Sequence, residues 1–189
     1  LQLVDRARAE HKGAAYLKLN PNGTIPVLVD DGLVLYETAA IAMHLADRFP
    51  QARLAPAVGT AERAQFYKWM VWLTNTLQAR LMHYFYPDRL VAEGNAEGTA
   101  QVKARAEHDI VGMLQQLDDL LASHGGPWLL GADYGAADVF AAMLGRWTRG
   151  FESRPARDFA QLGPWLQRVF ERPALQRTLA AEGLAKPWF

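Results

Sequence analysis

From Thr60 onward, apolar side chains recur at helical spacing, whereas the first 48 residues mix short strand-like runs with a single helical one; this change of period most constrains the fold. Phe66, Trp69, Met70, Leu73, Leu77, Leu81 and Tyr84 predict a helix from about 60 to 90, broken or kinked at Pro87. Val102, Ala106, Ile110, Met113, Leu114, Leu117 and Leu121 make a second long stripe, ended by Gly125-Gly126-Pro127. Shorter helices are expected around 136–148, 162–171 and 173–182. Residues 60–189 therefore predict an all-α bundle.

The beginning of the chain reads differently. Leu1–Asp5 has the composition of a strand end. Ile25–Val29 and Leu33–Leu35 flank Asp30-Asp31-Gly32, whose turn chemistry predicts a hairpin. Glu37–Arg48 then reads as a helix with Ala40, Ile41, His44 and Leu45 on one face, ended by Phe49-Pro50. Residues 49–59, with Pro50, Pro56 and Gly59 and little periodicity, make the linker between a domain over 1–48 and one over 60–189.

Composition excludes several kinds of chemistry. The 189 residues contain no cysteine, so no disulfide, thiolate metal site or cysteine nucleophile arises from them. Ser123 and Ser153, the two serines, lack the flanking glycines of a nucleophile elbow, and no G-x-G pair or P-loop occurs. Five scattered histidines show no metal-ligand spacing, so no metal is expected. Twenty basic and twenty acidic residues balance, which gives no footprint for nucleic acid or an anionic membrane. Apolar runs such as Trp69–Leu73 are too short to span a bilayer, and Leu1–Glu10 has no signal-peptide character, so a cytoplasmic location is expected.

Asn20-Pro21-Asn22-Gly23-Thr24-Ile25-Pro26, the hairpin after it, and Glu37-Thr38 at the start of a helix resemble the glutathione-binding half of the glutathione transferase family. Glu171–Leu175 and Ala181–Leu184 look like the C-terminal part of bacterial, beta-class-like members. The resemblance covers essentially the whole chain. It implies an α+β architecture, with a thioredoxin-like N-terminal domain followed by an all-α helical bundle. It also implies that the family's first strand and helix would precede Leu1.

The site residues follow from the same resemblance and have a physical reading of their own. Ile25-Pro26 is either a cis peptide, whose Ile25 N–H and C=O can pair with an extended ligand, or an ordinary trans proline opening a strand. Glu37 can pair with an ammonium group, and Thr38 at a helix N-terminus can receive a carboxylate; both can also serve simply as helix caps. Together they would hold the γ-glutamyl end of glutathione. Lys12, beside His11, is placed by resemblance at the glycine carboxylate, and Thr24 is a further polar contact. Tyr134–Val139 reads as a structural helix start, with Asp138 receiving the Gly135 N–H and Tyr134 packing on Val139.

Trp72, Asn75, Gln78 and Met82 share a second helical face and are candidates for the electrophile wall, with Trp188 and Phe189 able to close it or to pack on the core. The resemblance implies glutathione as co-substrate, a small hydrophobic electrophile and a homodimer. None of the 189 residues is assigned as catalytic, because relatives carry that Ser, Tyr or Cys on a turn that would precede Leu1. The implied activity is conjugation of the glutathione thiolate to the electrophile. Glutathione-dependent thiol–disulfide exchange and a non-catalytic binding module are the alternatives.

Overall fold

The computed structural model describes residues 1–189, and the chain divides into two units, Leu1–Ala52 and Arg53–Phe189. In the first unit a 3-10 turn, Glu10–Lys12, and the one-turn helix α1 (Ala14–Leu17) precede a hairpin of β1 (Val27–Asp30) and β2 (Leu33–Tyr36). Helix α2 (Thr38–Arg48) follows directly. The strand expected over Leu1–Asp5 is not formed, because no ladder partner runs beside it. Asp5 instead turns the chain, its Oδ1 accepting the N–H groups of Ala7 and Arg8 at 2.8 and 3.1 Å.

β1 and β2 pair antiparallel in the register Val27↔Tyr36, Leu28↔Leu35, Val29↔Val34 and Asp30↔Leu33. The turn is therefore the two residues Asp31-Gly32, and Asp30 belongs to the ladder. Both turn residues have positive φ, 49° and 86°, as the primed hairpin turn requires. Alternation points Asp30 at α2, where its Oδ2 lies 3.0 Å from His44 Nε2 and 3.5 Å from Arg48 Nε. The hydrogen bond to His44, aided by the charge of Arg48, holds the Asp30 carboxyl below its ordinary range against the opposing effect of burial. The helix face differs from expectation. Ala40, Ile41, His44 and Leu45 are only half-buried, and Ala39 and Ala46 are the buried pair. His44 is turned to the strand carboxylate rather than to an apolar layer.

The second unit is helical throughout. Its helices are α3 (Ala61–Trp72), α4 (Ala79–Phe85), α5 (Ala96–His124), α6 (Ala136–Trp147), α7 (Leu162–Phe170) and α8 (Pro173–Ala181). The single helix expected over 60–90 is thus two, joined by a π-helical segment, Leu73–Gln78. The wider turn keeps Phe66, Met70, Leu73, Leu77 and Leu81 in the core. Pro87 opens a 3-10 turn after α4 has ended, so it breaks the helix rather than kinking it.

On α5 the buried positions are Ala106, Ile110, Leu114, Leu117 and Leu121, with Val102 and Met113 half-buried. Helix α6 is apolar on most sides and occupies the centre of this unit. Two buried carboxylates fix the helix ends. Asp118 on α5 accepts the N–H groups of Gln161 and Leu162 at 2.7 and 2.8 Å, satisfying the start of α7 from another helix. Asp138 accepts the N–H groups of Gly135 at 2.9 Å and Leu129 at 2.8 Å, and Trp165 Nε1–H at 2.9 Å. The expected packing of Tyr134 on Val139 is not formed. Val139 is exposed, and Tyr134 lies between Trp128, at 4.9 Å, and the Arg172 guanidinium, at 3.6 Å. No helix is long and apolar enough to cross a membrane.

Candidate functional site

The site in the first unit is built on a turn with a buried asparagine at its centre. Asn20 is 0% exposed; its Nδ2 donates to Thr24 O at 2.7 Å and Thr24 Oγ1 at 3.0 Å, and its Oδ1 accepts the Asn22 N–H at 3.0 Å. Tyr16 Oη donates to the same Thr24 carbonyl at 2.7 Å. Gly23 sits at φ 57°, with the His11 carbonyl and the Lys12 side chain both 2.9 Å from where a Cβ would stand. Only glycine lets the two segments come that close. Lys12 is exposed, and its Nζ donates to Asn22 O at 3.3 Å. Lys12 and Thr24 are thereby tied to one turn.

That turn delivers Ile25-Pro26, whose peptide bond is cis. No hydrogen bond engages the Ile25 N–H or C=O, and its side chain is exposed. On the other strand the last ladder residue, Tyr36, leads into Glu37 and Thr38. Because Val27 pairs with Tyr36, the hairpin places Ile25-Pro26 and Glu37-Thr38 at the same end of the two strands, about 5 Å apart in the pairing direction. Lys12, Thr24, Ile25, Pro26, Glu37 and Thr38 therefore gather around one end of the hairpin.

Glu37 has φ 76° and ψ 111°, a conformation that L-residues rarely adopt. The first α2 hydrogen bond runs from the Ile41 N–H to Glu37 O at 2.9 Å, which leaves the N–H groups of Thr38, Ala39 and Ala40 without intrahelical acceptors. No side chain caps them. The helix start thus presents unpaired donors and a partial positive charge, with the Glu37 carboxylate beside it. An extended molecule bearing an amide, an ammonium group and a carboxylate fits this arrangement.

Trp72, Asn75, Gln78 and Met82 lie along α3, the π segment and α4 in the second unit, outside the buried stripe. Asn75 is exposed and the other three are half-buried. Trp72 packs edge-on against Trp69 at 5.2 Å. Trp188 and Phe189 pack on the buried Phe170, with ring centroids 6.3 and 4.9 Å from it. No group of three or more histidine, cysteine or carboxylate residues is arranged to hold a metal ion.

Comparison with known proteins gives the family of the chain. Residues 1–48 match the family model described as glutathione S-transferase, N-terminal domain, and residues 73–173 match glutathione S-transferase, C-terminal domain. The chain belongs to the glutathione S-transferase family. Its αβ unit corresponds to the family's thioredoxin-like domain and its helical unit to the C-terminal domain. Glutathione S-transferase 3 of Zea mays is 31% identical over 199 residues, covering 97% of this chain and 83% of the relative. Glutathione S-transferase GstA of Escherichia coli O157:H7 is 29% identical over 173 residues, covering 91% and 80%.

Among solved structures, a glutathione transferase homologue from Sulfitobacter with bound glutathione superposes with a TM-score of 0.82 at 25% identity. It covers 96% of this chain and 85% of that one. BphK, a bacterial glutathione transferase solved as a ternary complex, gives 0.77 at 29% identity, covering 92% and 81%.

Proposed function

We propose that this glutathione S-transferase family member binds glutathione at the hairpin end and conjugates its sulfur to a small hydrophobic electrophile. The observation that carries the reading is the Val27↔Tyr36 pair, which sets the free backbone groups of Ile25 beside Glu37 and the uncapped start of α2. Ile25 N–H and C=O pair in strand fashion with the cysteinyl unit of the tripeptide. Thr38, through its N–H and hydroxyl, receives the γ-glutamyl carboxylate, and Glu37 pairs with the ammonium group. Lys12 takes the glycine carboxylate, and Thr24 is a further polar contact to the peptide. We read residues 1–48 and 60–189 as the two domains, joined by 49–59.

The chemistry is a nucleophilic substitution. The thiol loses its proton to solvent, a sulfur–carbon bond forms at the electrophile, and the leaving group departs with its electron pair. The residues gathered at the hairpin bind and orient the nucleophile; none of them is assigned as the group that ionises the thiol. The thiolate is the reactive form, and a free thiol has pKa about 8.5. Trp72, Asn75, Gln78 and Met82 are assigned to the electrophile, a reading supported by their position outside the buried stripe. We place the protein in the cytoplasm as a homodimer.

An activated aryl chloride mixed with reduced glutathione tests the reading. The protein should accelerate thioether formation with stoichiometric chloride release, and Glu37→Ala should lose most of that rate with its fold intact. Retention on immobilised glutathione without any thioether formation would reduce the reading to a binding module.

A further inference from the structure

Two side chains donate to the one carbonyl that shares a peptide unit with the Ile25 N–H. Tyr16 Oη and Asn20 Nδ2 each lie 2.7 Å from Thr24 O, so two short hydrogen bonds converge on that oxygen. Tyr16 stands on the one-turn helix α1, and its own carbonyl accepts the Asn20 N–H at 3.0 Å. The two donors are thereby tied to each other as well as to Thr24.

The cis bonds of the chain are Ile25-Pro26 and Lys186-Pro187, so the Thr24–Ile25 bond is trans. In a planar trans peptide the C=O and N–H point in opposite directions. Tyr16 and Asn20 therefore hold this unit from one side. The Ile25 N–H, which meets no acceptor in the protein, faces the other. Hydrogen bonds accepted by a carbonyl polarise its peptide unit and strengthen the attached N–H as a donor, by roughly 10–30% per bond. Satisfying Thr24 O requires one donor, which the fully buried Asn20 already supplies; the half-buried Tyr16 adds a second. Burial raises the Tyr16 hydroxyl above its ordinary value, which keeps the proton on the donor.

We infer that Tyr16 is a positioning residue for glutathione. Through Thr24 O it orients and polarises the peptide unit whose N–H, that of Ile25, pairs with the cysteinyl unit. The inference rests on the glutathione reading and adds to it a side chain that does not touch the ligand.

Calorimetric titration with S-methylglutathione, joined to amide NMR of the ligand-free proteins, tests the inference on Tyr16→Phe. The variant keeps the ring and leaves Asn20 on Thr24 O, so no buried group loses its last partner and the fold should stay intact. Binding should weaken by about threefold or more, the loss of one hydrogen bond felt through a second. The Ile25 amide proton should move upfield before any ligand is added, which a merely structural hydroxyl would not cause. Equal or tighter binding by Tyr16→Phe, or weaker binding with the Ile25 amide proton unmoved, overturns the inference while the glutathione reading stands. No binding by the intact protein overturns both.

Discussion

Val27 faces Tyr36 as the last pair of the β1–β2 ladder, and every residue assigned a contact with glutathione except Lys12 lies within a few residues of that pair. A shift of register by one residue would turn the Asp30 side chain away from α2 and separate Pro26 from Glu37. The hairpin end is therefore both a structural and a functional element.

Glu37 combines a functional charge with an unfavourable backbone. Its φ of 76° is a conformation that glycine adopts without strain. Glu37→Gly should raise stability by about 0.5–1 kcal/mol in urea denaturation while weakening glutathione binding at least about tenfold, through loss of the ammonium partner. A variant that is both more stable and equally competent in binding would show that Glu37 has no ligand role.

Asn20 organises the turn without touching the proposed ligand. Asn20→Ala removes both donors to Thr24 and leaves a small cavity in a fully buried place. The expected cost is about 2 kcal/mol in urea denaturation, with glutathione affinity falling because Ile25 is no longer held in position. Asn20→Asp should rescue little, since it keeps the acceptor for Asn22 but supplies no donor to Thr24.

Asp138 satisfies three donors from three segments, two of them buried. Asp138→Ala should destabilise the helical unit by about 3 kcal/mol or more, and Asp138→Asn by less, since one acceptor oxygen remains. Burial holds its carboxyl above the ordinary value despite these hydrogen bonds. The folded state therefore keeps the Asp138 proton to higher pH than the unfolded chain does. The corresponding stability is full below the unfolded pKa and declines as pH rises through the raised folded one. The gap in urea stability between the intact protein and Asp138→Asn should accordingly narrow as pH rises across that window.

Asp30 behaves in the opposite sense. Its carboxyl is held below 3.8, so the contact with His44 and Arg48 contributes above the unfolded pKa and is lost as pH falls through the lowered one. Carboxyl-detected NMR should show Asp30 titrating below the ordinary aspartate range, and His44→Phe should move its midpoint back up.

Much of this was legible in the sequence because it is local. Asp31-Gly32 specifies a two-residue turn by backbone chemistry, and the stripes on α3, α4 and α5 follow from periodicity. The features that escaped depend on contacts between distant residues or on fine geometry. Asp118 reaches the start of α7 across more than forty residues, which no local pattern reports. The π segment was hidden because its buried residues, Leu73 and Leu77, still look helical in spacing. The positive φ of Glu37 was invisible because glutamate carries no turn signal. Asn20 was the exception: Asn-Pro-Asn-Gly is turn chemistry, and its first residue was the one to ask where its side chain goes.

Calorimetric titration of reduced glutathione into the intact protein, Glu37→Ala and Thr38→Val tests the central claim most directly. The account predicts saturable binding of one tripeptide per chain, weakened at least about tenfold in Glu37→Ala and measurably in Thr38→Val, with circular dichroism unchanged. Absence of binding by the folded protein, or equal affinity in all three, would contradict it.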